Sequence, residues 1–393
     1  MPVIPYGRQW VDEHDIAAVV ASLKSDFLTQ GPQVELFENE IAEICGADFT
    51  LATNSATSAL HIAYLALGMK PGKLVWTTPN TFVATSNTAL LCGAGIDFVD
   101  IDPRTYNLDP EALAAKLDHA QRNGLPMPDV VTFIDFAGQP CAIERMRELA
   151  SRYGFRTLED ASHSIGATWR NESVGCGRHA DITVFSFHPV KIVTTGEGGM
   201  AATSDPDLAR AMRLYHTHGV TRDPNLIEDR SQGMWYYEQV ELGLNYRMTD
   251  IQAALGRSQL QRLDEFLARR RAIAARYDSE LKGLPLRTPW QDPDGLSSFH
   301  LYPIVFDVER LRGGRRAAFD LLRSRGIGVQ VHYIPVHTQP YYRRHCGTAW
   351  GQCPQAERYY RGAVSLPMFA ALTDDQQTHV IEILCDVCAD LAA

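Results

Sequence analysis

The feature that most restricts the fold is a regular alternation, between about residues 50 and 200, of short β-rich apolar runs and longer stretches with helical spacing. Leu74-Val75-Trp76, Ile96-Asp97-Phe98-Val99, Val130-Val131-Thr132-Phe133 and Asp181-Ile182-Thr183-Val184-Phe185 read as strands, with helical spacing over 55–67, 110–123 and 142–153. A strand followed by a helix re-enters its sheet in parallel, so this order predicts an α/β fold: a mostly parallel sheet with helices on its faces. A helical tract over 249–284 follows, with apolar residues at Ile251, Leu255, Leu260, Leu263, Phe266 and Leu267. Beyond it come strands at 299–306 and 328–333 and helices at 315–325 and 373–391. The expected division is a large domain over 1–260 and a small C-terminal α+β domain over 261–393. No internal repeat is visible.

A chain of 393 residues, 45% of them hydrophobic, has ample material for two or three cored domains, which excludes wholesale disorder. Its formal charge of −10 disfavours nucleic acid and anionic membranes unless a basic patch is present. The one Lys/Arg run, Arg269-Arg270-Arg271, reads as the solvated face of a helix. No stretch approaches the ~18 apolar residues of a membrane span. The opening Met-Pro-Val-Ile-Pro-Tyr6 lacks the basic and apolar regions of a signal peptide. The eight cysteines are irregularly spaced, and the close pair Cys385 and Cys388 reads as helix packing rather than as a zinc or redox site. The expectation is a cytoplasmic protein without a metal, a nucleic-acid partner or a membrane partner.

Three segments could carry chemistry. Asn54-Ser55-Ala56-Thr57-Ser58-Ala59-Leu60 opens a helix with small hydroxyl residues. It reads either as plain N-capping or as an anion cup, because free N–H groups and the helix dipole meet there. Leu158-Glu159-Asp160-Ala161-Ser162-His163 ends a strand with a carboxylate, which could cap a helix or stand at the strand-end site of a parallel sheet. Ser186-Phe187-His188-Pro189-Val190-Lys191, followed by a Gly-rich turn over 194–199, places a lysine among apolar neighbours just after a buried strand. Burial disfavours its charged form, as a Schiff-base lysine needs. A lysine, a carboxylate for a pyridine nitrogen and an anion cup together are the requirements of pyridoxal phosphate.

With these segments the sequence resembles the DegT/StrS-type nucleotide-sugar aminotransferases, of the fold type I pyridoxal-phosphate architecture with its seven-stranded large domain. The likeness runs from Leu28-Thr29-Gln30-Gly31 to Ser365-Leu366-Pro367. Within the family it is most like the branch that aminates carbon 4 of a UDP-linked 2-acetamido-2,6-dideoxy-4-keto sugar in pseudaminic acid synthesis. That narrower likeness rests on 78–87, 185–199 and Val331-His332-Tyr333-Ile334-Pro335-Val336-His337.

The resemblance implies roles position by position. Lys191 would hold the cofactor covalently and shuttle the proton. Asp160 would pair with the pyridinium nitrogen, His163 would lie near the ring oxygen and Phe82 would stack on the ring. Ala56, Thr57 and Ser186 would bind the phosphate, together with Asn245 of a second subunit, which implies a homodimer with shared sites. Tyr6, the turn Asp26-Phe27-Leu28-Thr29, His332 and Tyr333 would meet the sugar nucleotide; Arg247 would meet a diphosphate or the donor carboxylate. His188 reads as a structural ring beside Pro189. L-Glutamate is the expected amino donor. The alternatives are amination of another nucleotide-linked 3- or 4-keto-6-deoxy sugar, and a cofactor-dependent sugar dehydratase. Dehydratases of this kind replace the lysine by histidine, so Lys191 weighs against that branch.

Overall fold

The computed structural model describes residues 3–393. The strands β1 (Phe49–Thr53), β2 (Leu74–Thr77), β3 (Gly95–Phe98), β4 (Val130–Ile134), β5 (Arg156–Asp160), β6 (Ile182–Ser186) and β7 (Gly199–Thr203) form one sheet. Its order is β1-β7-β6-β5-β4-β2-β3. Only β7 runs against its neighbours β1 and β6; the other pairings are parallel. Helices cover both faces, so the central strands are apolar throughout: every residue of β4 and β6 is buried. The helices stop and start where local chemistry dictates. Pro110–Asn123 begins with an Asp109 cap and a proline in its first turn, and ends at Gly124, whose φ of 62° suits glycine.

A second, antiparallel sheet joins Leu286–Arg287, Tyr302–Phe306 and Ala363–Leu366. The helices Gly314–Ser324 and Asp374–Asp390 enclose a separate apolar core with it, around Ile304, Leu322, Val364 and Leu384. Ile4 joins that core, and its N–H and carbonyl bond Gly326 and Gly328. Cys388 is buried there and Cys385 packs beside it, neither in a disulfide. Among the described residues no helix is long and apolar enough to cross a membrane.

Several expectations need correction. The tract 249–284 is two helices, Asp250–Leu260 and Leu263–Glu280. Arg262 leaves helical geometry at the break, where its guanidinium reaches Asp12 at 2.9 Å and the fully buried Asp15 at 2.6 Å. The strand expected from 299 starts at Tyr302, because Phe299 has a φ of 49°, outside any strand. Residues 328–333 form no strand: one bridge links Gln330 to Ser365, while Gly328 and Tyr333 bond to Ile4 and Asn80 of loops.

The arginine triplet is not a solvated face. Arg270 is fully buried, and its Nη1 donates to the carbonyls of Phe299, His300 and Met368. Arg269 bonds Leu372 and Asp374, and Arg271 bonds Ser297 and Gly166. Three loops lack strand partners there, and their carbonyls are satisfied by guanidinium groups instead.

Candidate active site

The strands β5 and β6 lie side by side, and both end in a polar residue at the same rim of the sheet. Asp160 closes β5, and both its oxygens are engaged from within the chain. Thr85 Oγ1 donates to Oδ2 at 2.7 Å; Ser162 donates to Oδ1 through its N–H at 3.2 Å and its hydroxyl at 2.5 Å. No helix follows, so this carboxylate is not a cap. Ser186 closes β6, and the chain then folds back on itself: Phe187 N–H bonds Gly198 O, and Thr195 N–H bonds Phe187 O. Lys191 sits on this turn, its own N–H tied to His188 O at 2.8 Å.

These groups line one cavity of about 620 Å³. Its floor carries Lys191 beside Asp160, and the N-terminus of the helix Ala56–Ala66 forms one end. Ser55 caps that helix, its oxygen accepting Ser58 N–H at 3.2 Å, while the first-turn N–H groups at Ala56 and Thr57 have no partner within the helix. Gly199 makes the arrangement possible: a Cβ there would stand 2.5 Å from the Ala56 nitrogen. The opposite wall holds Tyr6, His163, His300, His332 and Tyr333, with Phe82, 60% exposed, at the rim.

Burial sets the charge state of this wall. His163 and His300 are held far below the usual histidine range by desolvation, with Lys191 adding repulsion. His332 is pushed down to about 3 for the same reasons. All three are neutral at pH 7. Desolvation also lowers Lys191 to about 8, against a smaller opposing pull from Asp160. The cavity therefore holds a lysine that deprotonates readily, a carboxylate with fixed donors, and an anion cup built from neutral groups.

Of the residues expected from sequence, Tyr6, Ala56, Thr57, Phe82, Asp160, His163, Ser186, Lys191, His332 and Tyr333 meet in this cavity. Asp26, Phe27, Leu28, Thr29, Asn245 and Arg247 do not. The turn at 26–29 is exposed and docks against the start of the helix Asp250–Leu260 through Leu28 O and Thr29. Asn245 is exposed, and Arg247 lines a separate cleft of about 750 Å³. His188 is exposed at the cavity rather than wedged as a structural ring. Thr85, Ser162 and His300 escaped the sequence reading. Ser162 had a signal, two residues past an aspartate in an Asx-turn pattern. Thr85 and His300 arrive only through tertiary packing.

The signature of the DegT/DnrJ/EryC1/StrS aminotransferase family spans residues 9–385. The chain belongs to that family. It is 37% identical over 366 residues to the UDP-4-amino-4,6-dideoxy-N-acetyl-beta-L-altrosamine transaminase of Campylobacter jejuni, covering 93% of this chain and 92% of that one. To the spore coat polysaccharide biosynthesis protein SpsC of Bacillus subtilis it is 37% identical over 386 residues, 98% and 97% of the two chains. Among solved structures it superposes on Helicobacter pylori PseC, an aminotransferase of pseudaminic acid biosynthesis, with a TM-score of 0.89 at 30% identity, covering 99% and 100%. The PLP-form of the putative sugar aminotransferase Spr1654 from Streptococcus pneumoniae matches with a TM-score of 0.88 at 26% identity over the whole of both chains. This chain is thus an aminotransferase of the sugar-modifying family, with that family's α/β fold.

Proposed function

We propose that the protein is a pyridoxal-phosphate-dependent aminotransferase that moves the amino group of L-glutamate to carbon 4 of a UDP-linked 2-acetamido-2,6-dideoxy-4-keto sugar. The observation that carries this reading is the meeting of Lys191, Asp160 and the Ala56–Thr57 helix start in one cavity. The donor set fits the cofactor. A phosphate suits the N–H groups at Ala56 and Thr57 and the Ser186 hydroxyl, and Gly199 leaves the room. A pyridinium nitrogen suits Asp160, whose two oxygens keep lone pairs after binding Thr85 and Ser162. Phe82 would cover the ring face.

When bound, pyridoxal phosphate supplies an electron sink for the carbanion formed at the reacting carbon. The rest falls to the chain. Lys191, its ammonium destabilised by burial, attaches the cofactor and carries a proton between the two carbons; one positioned base is worth about 10²–10⁴-fold. Asp160, fixed by its two donors, holds the ring nitrogen protonated. Tyr6 and His332, with ring centroids 5.3 Å apart, form a wall against the sugar.

Asn245 is assigned to the phosphate in the site of a second subunit, which makes the working unit a homodimer, and Arg247 to a diphosphate or the donor carboxylate. Large apolar side chains on the 234–244 segment support this, with Met234 99%, Trp235 74% and Leu242 82% exposed. Each protomer divides near residue 260 into a large and a small domain. The helix Leu263–Glu280 gives Leu263, Phe266 and Leu267 to one core and Ile273 and Tyr277 to the other.

A panel of UDP- and dTDP-linked 4-keto-6-deoxy sugars, incubated with glutamate and the enzyme, tests the assignment. Mass spectrometry should detect an amine in place of the ketone, and NMR should place it on carbon 4. No amination of any member would overturn the substrate assignment. A deoxy product in its place would revive the dehydratase.

A further inference from the structure

A small hairpin, Thr168–Trp169 against Glu172–Ser173, leads through a tight loop into β6 and carries chemistry that the active site does not use. Glu172, Cys176 and His179 each offer one ligand atom, and the carboxylate oxygen, thiol sulfur and imidazole nitrogen all lie within 4.8 Å of one another. None of the three lines the cavity that holds Lys191. Cysteine spacing points to no metal motif here, because the set takes one residue of each type from within 172–179.

The backbone holds these groups in place. Gly175 and Gly177 flank Cys176 with φ of 88° and 70°, and both are closely packed. A Cβ at 175 would stand 2.7 Å from Phe185 Cζ, and one at 177 would overlap Ser204 Oγ. Cys176 N–H bonds the Ser173 carbonyl at 3.2 Å, which ties the loop to the hairpin. Arg170 clamps the hairpin turn through Glu144 and Asp294. Cys176 and His179 are buried, while Glu172 is partly exposed and leaves one side open to water.

Hydrogen bonding does not account for the buried ring. His179 Nε2 lies 2.8 Å from Glu172 Oε2, but Nδ1 is buried without a partner. Burial holds His179 below the usual histidine range, against a smaller pull from Glu172, so the ring is neutral at pH 7 and keeps a lone pair. Arg178 Nε donates to the other carboxylate oxygen at 3.2 Å and orients it. Tetrahedral zinc, with bonds of about 2.0–2.3 Å, sets its ligand atoms about 3.3–3.6 Å apart. The closest pair stands at 2.8 Å and none is beyond 4.8 Å, so the shifts required are of side-chain size.

We infer that Glu172, Cys176 and His179 form a binding site for a divalent cation of the zinc type, with water as the fourth ligand. Sulfur and imidazole nitrogen select against calcium and magnesium, which take oxygen ligands. On binding, the Cys176 thiol gives its proton to solvent and a sulfur–metal bond forms, with no change of oxidation state. The ion would tie the hairpin to the loop entering β6, and so brace the strand that ends at Ser186.

The test is a titration of the untagged, metal-stripped full chain with Co²⁺, without added pyridoxal phosphate, whose own absorption would overlap. One equivalent per protomer should produce the visible bands of a tetrahedral ion and a thiolate-to-cobalt charge-transfer band, and Zn²⁺ should displace both. Cys176→Ala should lose the charge-transfer band although the other cysteines remain. Glu172→Gln and His179→Gln should each weaken binding at least about tenfold. Glu172 is partly exposed, so its variant decides the matter even where Cys176→Ala fails to fold. Zn²⁺ should also raise the thermal midpoint of the wild type more than that of Glu172→Gln. The inference is overturned if no charge-transfer band forms, if the band survives Cys176→Ala, or if Glu172→Gln and His179→Gln bind cobalt as tightly as the wild type.

Discussion

Replacing Lys191 by methionine should stabilise the cofactor-free protein at pH 7 while abolishing turnover. Burial at the cavity floor lowers the lysine from 10.5 to about 8. At about 1.4 kcal/mol per pH unit, holding the ammonium there costs up to about 3 kcal/mol, part of which contact with cavity water relieves. Methionine matches the length of the side chain and carries no charge. The sign with pH follows from proton counting. Between about 8 and 10.5 the unfolded chain binds the proton and the folded one does not, so this contribution to stability rises with pH across that window. Below 8 the penalty is present in full. Urea unfolding of the cofactor-free wild type and Lys191→Met, at fixed protomer concentration, should give a variant about 2–3 kcal/mol more stable at pH 7, with the gap closing towards pH 10.5. A gap of the opposite sign, or one that does not change with pH, would refute the picture of a desolvated ammonium.

Four further outcomes follow from other parts of the structure. Glu159 is fully buried against Asp135, and burial with that neighbouring charge holds its carboxyl well above the usual range. Wild-type stability should fall as pH rises towards neutrality, because the folded state keeps a proton that the unfolded chain releases; Glu159→Gln, measured by urea midpoints at pH 5 and 8, should flatten that slope. Arg270→Met strands three buried carbonyls and should cost about 3 kcal/mol, read as a lower thermal midpoint. Gly199→Ala drives a Cβ to within 2.5 Å of Ala56 N and should weaken pyridoxal phosphate binding about tenfold or more, by fluorescence titration. Cofactor affinity should change less than about threefold between 0.05 and 0.5 M salt, since the proposed phosphate site offers neutral donors; a steep loss would place cations there.

Most of the fold was legible because its signals are local. Asp109-Pro110 and Gly124 mark a helix without reference to anything distant, and the runs at 74–77, 130–134 and 182–186 are apolar because both faces of the sheet are covered. What failed depends on partners far along the chain. Nothing in 249–284 announces a break, because its cause is Asp12 and Asp15, some 250 residues earlier. Arg270 looked like surface because arginine usually is; three loop carbonyls from two other segments make burial cheaper than exposure.

The site divides along the same line. Asp160 and Ser186 end strands, Ala56 starts a helix and Lys191 follows on the turn after Ser186, so residue type and order sufficed to bring these groups to one cavity. The direction of a hydrogen bond is another matter. The position of the proton on the His163 ring depends on one main-chain N–H, at Ala137, held in a backbone region that alanine seldom visits. The charge balance was equally hidden. In a chain of net charge −10 this cavity has no basic patch, Lys191 being the one Lys or Arg in its lining. It sets that lysine against two carboxylates, Asp160 and Glu197, keeps three of its four histidines neutral by burial, and presents N–H groups and hydroxyls to the proposed phosphate. Neutral donors recognise an anion by geometry rather than by field, and their arrangement is set by how closely Gly199 lets β7 approach the helix start at Ala56.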